Sequence, residues 1–147
     1  MTPPLNATAV VLQEPEKLAL SQLDLAAPGD GDIVVDMEVS GISTGTERLL
    51  WTGQMPHFPG MGYPLVPGYE ALGRVSQADG ESGLQVGDRV FVPGARCFGD
   101  VRGLFGGAAS RVVVPASRVV KVSDELGEGG VLLALAATAY HAVQAKD

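Results

Sequence analysis

The stretch LVPGYEALGRV, residues 65–75, decides how the rest of the chain is read. Its Pro–Gly pair marks a turn, and residues 69–77 read as a strand bent at Gly73. Two side chains able to handle a proton, Tyr69 and Glu70, stand side by side where that strand begins. The same punctuation recurs in both directions. The chain holds 20 glycines and 10 prolines, which help to set off further short β-type runs at residues 7–13, 17–25, 32–43, 87–93, 109–115 and 118–122. Such runs, separated by turns like PGDGD and DGESG, predict a sandwich or barrel rather than a helical bundle.

At 147 residues, with 46% hydrophobic and 18% charged content, the chain is about one domain long and can bury a core. A net charge of −7 with no Lys/Arg cluster argues against nucleic acid or an anionic membrane surface as a partner. The N-terminus lacks a basic region followed by an apolar one, and no window reaches the roughly 18 apolar residues of a membrane span. The expectation is therefore a cytoplasmic protein. Cys97 is the only cysteine, so no intrachain disulfide forms and no cysteine cluster holds a structural zinc.

Two segments depart from the strand rhythm. Residues 49–67, LLWTGQMPHFPGMGYPLVP, set Trp51, His57, Phe58 and Tyr63 among prolines and glycines, which predicts a long structured loop. Such a loop serves either as a packed cover or as a ligand surface. The apolar, alanine-rich C-terminal stretch predicts a helix over residues 128–145, with acidic residues early and a lysine at its end. Leu132, Ala136, Ala139 and Val143 would share one face; Ala134, Ala137, Thr138 and His141 lie on another.

In order, VSGISTGTE, VPGYEALGRV, VGDRVFV and GGAASRVVVPASRVVKV resemble the N-terminal catalytic domain of the medium-chain dehydrogenase/reductases. The fold implied is mainly β with a C-terminal helix, a GroES-like partly open β-barrel spanning residues 1–147. More narrowly, the chain resembles a branch of that superfamily active in bacteriochlorophyll biosynthesis. That likeness implies a bacteriochlorophyllide, a tetrapyrrole, as the small-molecule substrate. Its 1-hydroxyethyl group would be oxidised to acetyl, with NAD as hydride acceptor. No glycine-rich strand–turn–helix of a Rossmann domain occurs, so that domain is absent from this chain, which reads as a fragment or truncation and should bind NAD poorly alone. A homodimer stays open.

Catalytic zinc in that superfamily is held by a Cys, a His and a further Cys or Glu. The matching positions here are Ser43, Tyr69 and, counting back from His141, Ala134. A serine hydroxyl and a phenol keep their protons well above neutral pH and are poor ligands, so no metal is expected. The resemblance then makes Glu70 the base or proton relay, or else a structural ion-pair partner of Arg48 or Arg74. Tyr69 is a hydrogen-bonding partner for the substrate hydroxyl or a packed aromatic. Ser43 and Thr46 fall in the family's relay segment, which is one residue longer here, so Thr44 competes for that role; Glu47 takes an acidic position that anchors the loop. Trp51, Phe58, Tyr63 and Phe105 are candidates for stacking on a flat macrocycle, with some of them core. His57 is a candidate magnesium contact or an exposed loop residue, and His141 a substrate contact or a satisfied helix residue. Two rival functions remain: a tetrapyrrole-binding module without catalysis of its own, and a zinc-free quinone reductase.

Overall fold

The apolar runs Ile33, Val34, Val35 and Val112, Val113, Val114 are buried throughout, as short runs are when both strand faces are covered. They lie on two of nine strands in the computed structural model, which describes residues 3–145. The strands are β1 Asn6–Glu14, β2 Lys17–Asp24, β3 Asp32–Ser40, β4 Leu65–Val66, β5 Ala71–Ala78, β6 Arg89–Val92, β7 Arg102–Gly103, β8 Arg111–Pro115 and β9 Val120–Lys121. A helix, α1, spans Thr46–Thr52, and a second, α2, spans Leu133–Gln144.

Two sheets result, ordered β2-β1-β4-β7 and β8-β3-β5-β6-β9. They are sewn together where β1 meets the residues leading into β8. Val10 N–H donates to the Ala108 carbonyl at 2.9 Å, Ser110 N–H to the Thr8 carbonyl at 2.8 Å, and Ala9 bridges Ala109. This is the mainly β, GroES-like partly open barrel that the family resemblance implies, within the sandwich-or-barrel class set by the strand rhythm. Between the sheets lies the main core, and a smaller one gathers Leu12, Leu50, Leu65 and Leu104 with Met55, Phe58, Met61 and Tyr63.

Several boundaries differ from the sequence reading. The expected strand over 69–77 begins at Ala71, because Gly68 sits at φ +106 and a Cβ there would meet the Ala108 amide nitrogen at 2.9 Å. Tyr69 and Glu70 are thereby held in a bend rather than a ladder. The expected loop over 49–67 is in part regular: α1 ends inside it, and Leu65 and Val66 pair in parallel with Arg102 and Gly103. The expected helix over 128–145 splits. Asp124–Leu132 is 3₁₀, broken at Gly127 with φ +54, and only Leu133–Gln144 is α-helical. By length and hydropathy alone (1.3), Asp124–Gln144 is apolar enough to cross a membrane. Its continuous α-helical part of 12 residues is nonetheless shorter than the about 20 that a span requires.

Leu65 is fully buried in the smaller core, and its strand leads straight into the Pro67–Gly68 turn. Leu65→Ala should lower unfolding stability by about 2–5 kcal/mol, whereas Leu20→Ala, at a residue 75% exposed, should change it by under about 0.5 kcal/mol. Urea unfolding midpoints of the two variants check this.

Candidate functional site

An open cleft of about 700 Å³ lies between the β1–β2 hairpin, the link from β3 to α1, and α1 itself, with Pro67, Gly68, Ala108 and Ala109 closing its floor. Its walls are almost entirely apolar. Leu18, Leu20, Ile42 and Trp51 line it while remaining 57%, 75%, 81% and 39% exposed. Large aliphatic and aromatic side chains left in solvent around one concavity mark a ligand or partner surface.

Helix α1 owes its position to Ser43, whose Oγ accepts the amides of Gly45 at 3.2 Å and Thr46 at 3.1 Å. Its other end is tied to the hairpin, since the Glu16 amide donates to the Trp51 carbonyl at 2.9 Å. Ser43, Thr44, Glu47, Arg48 and Trp51 all line the cleft as a result. With its oxygen engaged by two amides, the Ser43 hydroxyl still has its own proton to donate. Thr46 begins the helix beside them but is not part of the lining.

Glu70 is only 5% exposed and lies directly behind the cleft wall. Gly41 donates its amide to the Glu70 carbonyl at 2.6 Å, and a Cβ on Gly41 would come within 2.7 Å of Glu70 Oε2. The bare glycine is what leaves room for the carboxylate. Neither arginine expected to neutralise Glu70 does so: Arg74 bonds Asp124 at 2.6 Å and lies 3.6 Å from Glu38, and Arg48 makes no ion pair among the described residues. Glu70 Oε1 and both carboxylate oxygens of Glu47 are shielded from solvent without a hydrogen-bond partner. Burial pushes the Glu47 carboxyl above its usual range and the nearby charge of Glu70 adds to this, while the dipoles of the Glu47 and Ser43 amides and of the Ser43 hydroxyl, close by but out of hydrogen-bond geometry, oppose it. The sequence reading gave Glu47 to anchoring the loop; in the structure Glu47 is among the residues lining the cleft, with both carboxylate oxygens turned out of solvent.

Other expected site residues fall elsewhere. Tyr69 packs edge-to-face on Phe105 with ring centroids 5.8 Å apart, and neither lines the cleft. Phe58 and Tyr63 belong to the smaller core, where the Tyr63 hydroxyl donates to the Leu50 carbonyl. His57 is exposed on the loop and His141 on α2, both away from the cleft lining. Cys97 is a buried core thiol whose pKa burial raises. Sequence reasoning missed Leu18, Leu20 and Ile42. The signal was present in two leucines spaced two apart on β2, a spacing that puts them on one strand face.

The donor set for a catalytic zinc is poor. Ser43 Oγ is engaged by two amides, Tyr69 is packed on Phe105, and Ala134 offers no donor atom. Among the described residues no group of three or more His, Cys, Asp or Glu is placed to share an ion.

The family model described as alcohol dehydrogenase GroES-like domain matches residues 29–124. The chain is 56% identical over 144 residues to 2-desacetyl-2-hydroxyethyl bacteriochlorophyllide A dehydrogenase of Cereibacter sphaeroides, covering 95% of this chain and 45% of that protein. The protein of the same name from Rhodobacter capsulatus is 54% identical, with 97% and 46% covered. The chain thus spans less than half the length of these relatives. A solved structure of a probable oxidoreductase from Mycobacterium abscessus superposes with a TM-score of 0.69 at 29% identity, over 87% of this chain and 39% of that one.

With its carboxyl shifted upward, Glu47 costs stability as pH rises above its ordinary 4.5, because the folded state then binds more protons than the unfolded chain. Glu47→Gln should therefore raise the urea midpoint at about pH 7.5 and leave it nearly unchanged at about pH 3.5. An equal gain at both values would show that the effect is packing and not ionisation.

Proposed function

The chain belongs to the alcohol dehydrogenase GroES-like domain family, and from that premise we propose that it is the substrate-binding domain of an oxidoreductase that converts a secondary alcohol on a bacteriochlorophyllide-type tetrapyrrole to the ketone. The observation that carries this reading is the cleft of about 700 Å³ whose apolar walls stay exposed. A flat conjugated macrocycle needs a broad apolar surface of this kind, and the bacteriochlorophyllide dehydrogenases to which the chain is similar supply the substrate class. The setting implied is a cytoplasmic enzyme with a small-molecule substrate.

Oxidation removes a hydride from the carbinol carbon and a proton from its oxygen. NAD is the hydride acceptor this reading assigns to the full-length protein. No strand–helix–strand nucleotide unit occurs among the described residues, so no residue of this chain is assigned to holding it. The proton is the task of residues here. Ser43 holds the hydroxyl oxygen through a hydrogen bond from its own O–H, which it keeps. The proton leaving the substrate passes inward to the carboxylates, where Glu47 lies at the cleft lining with its oxygens shielded from solvent. Glu70, one glycine behind, is the final acceptor. The macrocycle lowers what these groups must do, because positive charge developing as the hydride leaves spreads into the conjugated ring. Together with the donor set at Ser43, Tyr69 and Ala134, this supports a zinc-independent reaction.

In the full-length protein, Glu70→Gln should keep the side-chain shape and lower kcat by about 10²- to 10⁴-fold, the usual cost of losing a general base. Turnover within a factor of about three of the parent would make Glu70 structural. Pigment binding separates the aromatics. Trp51→Ala should weaken binding of a chlorin, followed by its absorption shift, by about 1–3 kcal/mol through lost stacking. Phe58→Ala, in the smaller core, should lower thermal stability and leave that affinity nearly intact.

A further inference from the structure

Arg48 is a cleft residue that the alcohol chemistry leaves unused. It is the one basic side chain among the described residues that line the cleft, and it is exposed. Three other arginines meet carboxylates: Arg111 bonds Asp36 at 2.7 Å, Arg74 bonds Asp124 at 2.6 Å, and Arg89 approaches Glu38 at 3.5 Å. Arg96, Arg102 and Arg118 also make no ion pair among the described residues, but none of them lines this cleft. Arg48 has no such partner among the described residues. Its chain neighbour Glu47 does not serve, because adjacent helical residues do not face each other, and Glu47's oxygens remain unpartnered. A lone guanidinium at the rim of an apolar cavity has the fork geometry that recognises a carboxylate in two parallel hydrogen bonds.

We propose that Arg48 anchors a free carboxylate carried by an otherwise apolar ligand, so that the cleft selects tetrapyrrole acids over their esters. This rests on the tetrapyrrole reading of the cleft and adds the group by which the ring is oriented: the carboxylate sits at α1, with the rest of the macrocycle over Trp51 and Leu20. A nucleotide phosphate would satisfy the same charge, but it would leave the exposed aliphatic rim uncovered.

The test pairs one substitution with one change in the ligand. Pheophorbide a and its methyl ester differ only at the carboxylate, and the binding of each to the parent chain and to Arg48→Met is titrated by absorption. The parent should bind the acid about tenfold more tightly than the ester, and Arg48→Met should remove that preference while leaving ester affinity unchanged. Arg48→Lys should retain part of the preference, since it keeps the charge and loses the fork. Equal weakening of acid and ester by Arg48→Met, or no acid preference in the parent, overturns the assignment. So does a loss confined to nicotinamide nucleotide affinity in the full-length protein, which would give Arg48 to the cofactor. If the parent binds neither chlorin, the tetrapyrrole reading itself falls, an outcome distinct from the others.

Discussion

The contact between Gly41 and Glu70 is the constraint on which the site depends. The amide of Gly41 is bonded to the Glu70 carbonyl at 2.6 Å, and the space a side chain would occupy at Gly41 holds the Glu70 carboxylate. This fixes the end of β3 against the bend before β5. From that point the chain can leave the sheet only toward Ser43, whose hydroxyl gathers the first amides of α1. The helix then presents Glu47, Arg48 and Trp51 to one concavity. A larger residue at position 41 would disturb all of these together.

The sequence made the barrel readable because its strands are bounded by glycines and prolines that act locally. Runs such as those ending at Pro93 and Pro115 stop where a ladder donor is lost. The two-residue parallel pair of Leu65 and Val66 with Arg102 and Gly103 was not readable. Nothing in two residues carries a period, and the pairing is set by how the segment packs on β1. The break at Gly127 was equally hidden, since a glycine in an apolar stretch is compatible with either continuing or ending a helix.

The site was legible by type and not by place. Ser43, Glu70 and Trp51 were picked out, and the structure sets them in or behind one cleft. Phe58 and Tyr63 stand in the same kind of Pro/Gly-rich sequence as Trp51, yet they pack, partly buried, against the smaller core. The choice between core and cleft depends on contacts with Leu12 and Leu104, which are distant in the chain. Tyr69 went to Phe105 for the same reason: Gly68 turns the backbone so that adjacent residues 69 and 70 are directed to different surroundings.

Several features that cost folding free energy meet at the cleft, although Arg89 Nε and Nη1, buried without hydrogen-bond partners, and the exposed apolar residues of α2 show that such features are not confined to it. Exposed Leu18, Leu20, Ile42 and Trp51 forgo burial that would be worth roughly 1.5–3 kcal/mol for a fully buried large side chain, and Glu47 and Glu70 keep oxygens without partners out of water. The buried Val, Ile and Leu clusters of the two cores show no comparable defect. Each such term consumes a sizeable share of a small net stability, and natural chains tolerate it where a ligand or a reaction requires it. An apolar rim that water does not suit, beside carboxylates that burial does not suit, leaves at the cleft a surface that an apolar ligand would complete.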